Sequence, residues 1–135
     1  GEDFSAVMDS LVWGKFLRKV FDDFYAESAA VLSHITGWDV TEDELRIAGE
    51  RINNLKKSFN IREGWKRSDD SLPPRILTEE LPDGPGKGVG LSQSDLEVMI
   101  DSYYEARGWN ADGSIPASKL ADLGLEHIST VSTDP

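Results

Sequence analysis

The chain has no cysteine, so it holds no disulfide scaffold, no thiolate zinc site and no self-sufficient iron–sulfur site. A cytoplasmic setting is the expectation. Histidine is scarce too: His34 falls at a helix end and His127 in the tail, and neither has a thiol or an obvious serine partner for nucleophilic chemistry. No apolar run approaches the roughly 20 residues of a membrane span, and the N-terminus lacks the basic-then-apolar pattern of a signal peptide. Cations are outnumbered, 14 Lys plus Arg against 25 Asp plus Glu, for a net charge of -11. Such a surface repels nucleic-acid phosphate and anionic membranes, leaving a basic or neutral partner as the better match. Runs that alternate apolar and polar residues over a strand's length are missing, and so are internal repeats.

What is present has helical spacing. The length of 135 residues suits one domain with a single core. Phe4, Val7, Met8 and Leu11 form a first stripe. Phe16, Val20, Phe21, Phe24, Val31, Leu32 and Ile35 continue one after a break at Gly14, giving two helices or one kinked helix. Gly37 is a stop signal, and Thr41-Glu42-Asp43-Glu44 is a capping box that opens the next helix. There Leu45, Ala48, Ile52, Leu55 and Phe59 share a face that must be buried. After Asn60 the periodicity dissolves into a long Pro/Gly-rich loop running to Gly90. Ser92 caps a later helix with Leu96, Met99, Ile100 and Tyr103 on one face, ended by Gly108. A short last helix starts near Pro116, uses Leu120 and Leu123, and stops at Gly124. The expectation is an all-α fold of about five helices over residues 1–125, followed by a polar tail, residues 126–135, that frays.

Several constellations resemble sites and fail on their chemistry. Gly84-Pro85-Gly86-Lys87-Gly88 lacks the hydroxyl residue after the lysine, and the glycine five residues before it, that a phosphate-binding loop needs. Residues 108–119 imitate a calcium loop through Asn110, Asp112 and Gly113, but Gly108 stands at the first ligand position and Lys119 at the last. The pairs Asp22-Asp23 and Asp69-Asp70 read as solvated charge, since neighbours on a helix diverge by about 100°. Trp13, Trp38, Trp65 and Trp109 each sit at an element boundary, where an indole staples a loop to a helix; three of the four read as structural.

Six ordered blocks carry a resemblance that spans nearly the whole chain. Arg51-Ile52-x-Asn54-Leu55, Phe59-Asn60-x-Arg62-Glu63-Gly64, Asp69-Asp70-x-Leu72-Pro73-x-Arg75, Leu81-Pro82-Asp83-Gly84, Tyr103-Tyr104-x-x-Arg107-Gly108-Trp109 and Leu120-x-x-Leu123-Gly124-Leu125 resemble the C-terminal region of tungsten-containing aldehyde:ferredoxin oxidoreductases. The resemblance implies the last helical domain of an enzyme that oxidises aldehydes to carboxylic acids, using tungstopterin and a [4Fe–4S] cluster that passes electrons to ferredoxin. Its partners would be upstream domains of the same polypeptide, and alone it would be inactive and hold no cofactor. In that family a segment Asp-x-x-Gly-Leu-Cys lies at this place, its aspartate and following backbone touching one pterin and its cysteine ligating the cluster.

Here Asp9-Ser10-Leu11-Val12-Trp13-Gly14 occupies the segment. Asp9 matches, whereas Val12 replaces Gly, Trp13 replaces Leu and Gly14 replaces Cys. The resemblance thus implies Asp9, Val12 and Trp13 as cofactor-facing residues, with no metal ligand at Gly14. Asp9 has the plain alternative of a surface carboxylate, and the chain that of a cofactor-free helical interaction module. A calcium-responsive helix pair around Asp112 is a third reading. The start at Gly1 is expected of a processed tag or of a piece of something longer, and the Phe4, Val7, Met8, Leu11 face, if bared, would drive self-association.

Overall fold

A computed structural model describes residues 1–128. Within them the chain is all helical: α1 (Glu2–Ser10), α2 (Phe24–Thr36), α3 (Glu42–Arg62), α4 (Pro74–Thr78), α5 (Gln93–Arg107) and α6 (Ala117–Asp122), with single 3-10 turns at Lys15–Lys19 and Arg67–Asp69. The additional element is α4, a short helix inside the stretch read as irregular, started by a proline pair whose fixed φ suits a first helical turn. No helix among the described residues is long and apolar enough to cross a membrane.

Local chemistry sets the helix ends. Thr41 Oγ1 accepts from the Glu44 amide while Glu44 reaches back to the Thr41 amide, and Ser92 with Asp95 repeats the arrangement at the start of α5. Asp23 caps α2 by accepting from the Ala26 amide, so one member of the first acidic pair is a cap. Gly37 and Gly108 close α2 and α5 in the left-handed conformation.

Two clusters form the interior. In the first, Val7 and Met8 of α1 meet Phe24 and Ala29 of α2 and Leu45 of α3, with Phe4, Leu11 and Phe21 packed around them. The α1 stripe is therefore covered by the chain's own α2 and α3, and the bare patch expected to drive self-association is not there. Gly49 makes the α1–α3 approach possible, because a Cβ at that position would lie 2.6 Å from the Asp3 carbonyl oxygen and 3.0 Å from Val7 Cγ2. In the second cluster Ile115, Leu120, Leu123 and Leu125 pack with Ile61 and Trp109. Arg51 Nε donates to the Leu123 carbonyl at 2.7 Å and Lys119 pairs with Glu50 at 2.6 Å, fastening α6 to α3. Ile128 joins this cluster, so the polar tail begins with an anchored residue; positions 129–135 lie outside the described residues.

Two expectations about buried faces are corrected. On α3, Leu55 and Phe59 are 42% and 53% exposed, and the buried line runs through Leu45, Gly49, Asn54, Lys57 and Ser58. The 21-residue helix changes partners half-way: its first half faces α1 and α2, its second half faces the loops around Trp65 and Trp109. At about 100° per residue, the Asn54, Lys57 and Ser58 line lies nearly opposite the Leu45 and Gly49 line, so the buried stripe changes face at that point. On α2 Ile35 is 78% exposed, and between Gly14 and Asp23 the helical stripe is not realised either, Phe16 and Val20 being 98% and 68% exposed. The reason is a tight reversal after α1.

Candidate functional site

That reversal contains the residues singled out from the sequence. The Val12 amide donates to the Asp9 carbonyl and the Trp13 amide to the Met8 carbonyl, the two bonds that terminate a helix through a left-handed residue. Val12 is that residue, with φ at 59°, and it is the one non-glycine with positive φ among the described residues. Left-handed backbone crowds a β-branched side chain and costs roughly 1–2 kcal/mol. The resemblance to the Asp-x-x-Gly-Leu-Cys pattern implies a glycine at position 12, and the turn here has a glycine's conformation without the glycine.

The four residues leave this turn in different directions. Asp9 is exposed, and its carboxylate pairs with Lys15 Nζ at 2.9 Å. The Val12 side chain is 88% exposed. Trp13 turns inward, its ring edge-on to Phe21 at a centroid distance of 5.1 Å, with its Nε1 buried and unpartnered. Gly14 has ordinary extended backbone, φ -63° and ψ 135°, and a side chain added there would meet nothing within 4 Å. Crowding therefore does not enforce the glycine. An exposed carboxylate beside open space fits a cofactor seated on this end of α1, whereas a chain without cysteine offers no thiolate to an iron–sulfur cluster, and Gly14 does not fit the ligand position.

A second concave region lies at the other end of α1 and was not found from sequence. It is a cleft of about 560 Å³ whose wall includes Asn53, Lys57, Trp65, Asp70, Tyr104 and Trp109. Lys57 is 7% exposed. Its Nζ lies 2.7 Å from the Trp65 ring centroid, 4.9 Å from that of Trp109 and 5.4 Å from that of Tyr104. Burial pulls the Lys57 ammonium down to about 8, partly offset by Asp70. Asp70 accepts from Tyr104 Oη at 2.5 Å and from Trp65 Nε1 at 3.2 Å, so it is a half-buried hub rather than the solvated charge expected. Burial, and then the bond to Asp70, push the Tyr104 hydroxyl well above its usual range. Trp109 Nε1 donates to Asn54 Oδ1 at 2.8 Å, and Asn54 is wholly buried. The signal available in the sequence was the 54, 57, 58, 61 spacing, which runs along one helical face but carries polar residues.

The other candidates are occupied by structure. Asp112 Oδ1 accepts from both the amide and the hydroxyl of Ser114, a side-chain turn in place of a calcium loop. A Cβ on Gly113 would meet the Trp65 ring at 2.6 Å, so close approach and a φ of 79° both require glycine there. His34 Nδ1 bonds the Ala30 carbonyl at 2.6 Å, as a helix-end residue does. The loop resembling a phosphate cradle folds on itself, with the Leu81 and Gly88 amides donating to the Val89 and Leu81 carbonyls. Trp38 is 68% exposed, while the other three tryptophans are the staples just described.

Comparison with known proteins decides what this scaffold is. A family model described as aldehyde ferredoxin oxidoreductase, domains 2 and 3, matches residues 1–125. The chain belongs to that family. Tungsten-containing aldehyde ferredoxin oxidoreductases from Pyrococcus furiosus and Thermococcus kodakarensis are 40% and 39% identical to it over 126 residues, 92% of this chain. The chain spans only 20% of the length of each, and the matched part is their C-terminal region. A solved structure described as the active site complex BamBC of benzoyl coenzyme A reductase with 1,5-dienoyl-CoA is also similar, with a TM-score of 0.62 and 27% identity over 77% of this chain and 14% of that one. Within the family the chain thus corresponds to a C-terminal helical domain.

Proposed function

We propose that this domain forms one wall of a tungstopterin cleft in a ferredoxin-linked enzyme converting aldehydes to carboxylic acids, and that it has no activity alone. The observation that supports the reading is the turn at residues 9–14, with a left-handed position 12 and an exposed Asp9 carboxylate, where the resemblance implies the family's cofactor segment. When bound, tungstopterin supplies the two-electron oxidation of the aldehyde. The domain's part is to present Asp9 and the backbone around Val12 to one pterin, with Trp13 bracing the turn from inside through Phe21. Its partners are the upstream domains of the same polypeptide, with ferredoxin as acceptor, in the cytoplasm. Position 14 brings no ligand, so any cluster in the whole protein is completed by a group other than this segment.

The test is metal and pterin analysis of the full-length protein, purified without oxygen from tungsten-supplied cells, together with aldehyde-dependent reduction of a small dye. Tungsten at close to one per chain with dye reduction is the expected result. A folded full-length protein carrying neither tungsten nor pterin would favour the second reading, a helical interaction module, for which the absence of cysteine and the replacement of the glycine and cysteine in this segment speak.

A further inference from the structure

The cleft that contains Lys57 is built around a buried charge that the described residues leave unbonded. Lys57 is 7% exposed, yet among those residues its Nζ has neither a hydrogen-bond acceptor nor an ion-pair partner. It lies instead among the rings of Trp65, Trp109 and Tyr104, which line the same cleft. An ionised amine buried without an acceptor is costly, and ring faces offset only part of that cost. The cleft's own carboxylates do not offset the rest. Asp70 is taken by Tyr104 Oη and Trp65 Nε1, and Glu2 by Tyr103 and Arg107. The two lysines of the wall, Lys56 and Lys57, are thus the charges left uncommitted among the described residues, and the remaining wall is largely apolar, with Leu96, Met99 and Ile100. A volume of about 560 Å³ falls within the range of small-molecule sites, about 300–1,000 Å³.

We infer that this cleft is a binding site for a small organic monoanion, a carboxylate on a flat apolar body, with the Lys57 ammonium as its anchor. The carboxylate supplies the acceptor that Nζ lacks, in a charge-assisted bond shielded from water. The flat body lies against the apolar side of the wall. A second negative charge is disfavoured by Asp70 and Glu2, and a cation by Lys57 itself, which already occupies the ring faces that would attract one. The floor is supplied by α3 and α5 of this chain, with Trp65 and Asp70 from the loop after α3. The nine residues of α1, about 13 Å of helix, separate Glu2 in this wall from the turn assigned to the cofactor. The inference does not rest on the cofactor reading, since binding is read without aldehyde, dye or tungsten.

The test is calorimetry on the full-length protein with benzoate, set against benzyl alcohol, which has a similar shape without the charge, and benzylammonium, which has the opposite charge. Benzoate should bind at least about tenfold more tightly than benzyl alcohol, the scale of one charge-assisted hydrogen bond, and benzylammonium no better than the alcohol. Lys57→Met should bring benzoate down to the level of benzyl alcohol and leave the alcohol's affinity as it was, which also shows that the cleft persists. Asn60→Asp, an exposed position in the same wall, should weaken benzoate several-fold, and it decides the matter if Lys57→Met destabilises the protein. Equal affinity for benzoate and benzyl alcohol, or benzoate binding untouched by these substitutions, would overturn the inference. A folded full-length protein that binds no benzoate would overturn it as well, because other polypeptide would then fill the cleft.

Discussion

Val12 is the residue at which sequence and backbone disagree most. Its φ of 59° is imposed by the two reversed hydrogen bonds that end α1, and a β-branched side chain has no means of relieving it. Replacing it by glycine removes the steric cost and adds some unfolded-state entropy. Val12→Gly should stabilise the 135-residue chain by about 1 kcal/mol, seen as a higher denaturant midpoint with unchanged slope; an unchanged or lowered midpoint would mean that the turn is not strained. Lys57 gives a second prediction at this scale. Folding lowers its amine from 10.5 to about 8, so between those values the unfolded chain holds the proton more tightly and stability rises with pH; below about 8 both states are protonated and the dependence flattens. The unfolding free energy of the native chain minus that of Lys57→Met should therefore climb between pH 8 and roughly 10.5. A flat difference over that range would show that the aromatic faces hold the ammonium fully charged.

Among the elements, the α1–α3 contact depends on an absent side chain. Gly49→Ala places a methyl against the Asp3 carbonyl oxygen, and relief requires α1 to move off α3 and to loosen the Arg107 bonds to Glu2 and Asp3. A loss of about 1–3 kcal/mol is expected from such overpacking, with thermal melting as the measure; a melt equal to the parent's would place α1 farther from α3. The same element shows how far the sequence could be read. Caps at Thr41 and Ser92 and stops at Gly37, Gly108 and Gly124 were legible because each satisfies its own helix's orphan groups within a few residues. The buried face of α3 was not, because Asn54, Lys57 and Ser58 are buried by partners more than a dozen residues away, Trp65 excepted. Phe16 and Val20 misled for the opposite reason: helical spacing was present, but the left-handed turn at Val12 had already ended the helix. At the candidate site the identity of Asp9 and the missing thiolate were readable, and the inward turn of Trp13 was not.

For the molecule as a whole, the residues that carry the family resemblance bond mainly to one another. Arg51 reaches the Leu123 carbonyl, Asn54 accepts from Trp109, and Asp70 accepts from Tyr104; Arg107 grips the first turn of α1. They build the frame that carries α1, and on the proposed reading only the turn after α1 borders the cofactor. A chain covering 20% of its relatives' length is therefore expected to fold as a helical body whose single working edge is completed by upstream polypeptide. The most direct measurement is tungsten per chain in the full-length protein, compared between the natural sequence and Asp9→Ala. Because Asp9 is exposed and bonded only to Lys15, the substitution should leave the melt of the 135-residue chain in place while tungsten retention falls several-fold. Equal tungsten in the two proteins, or none in the natural one, would contradict the account.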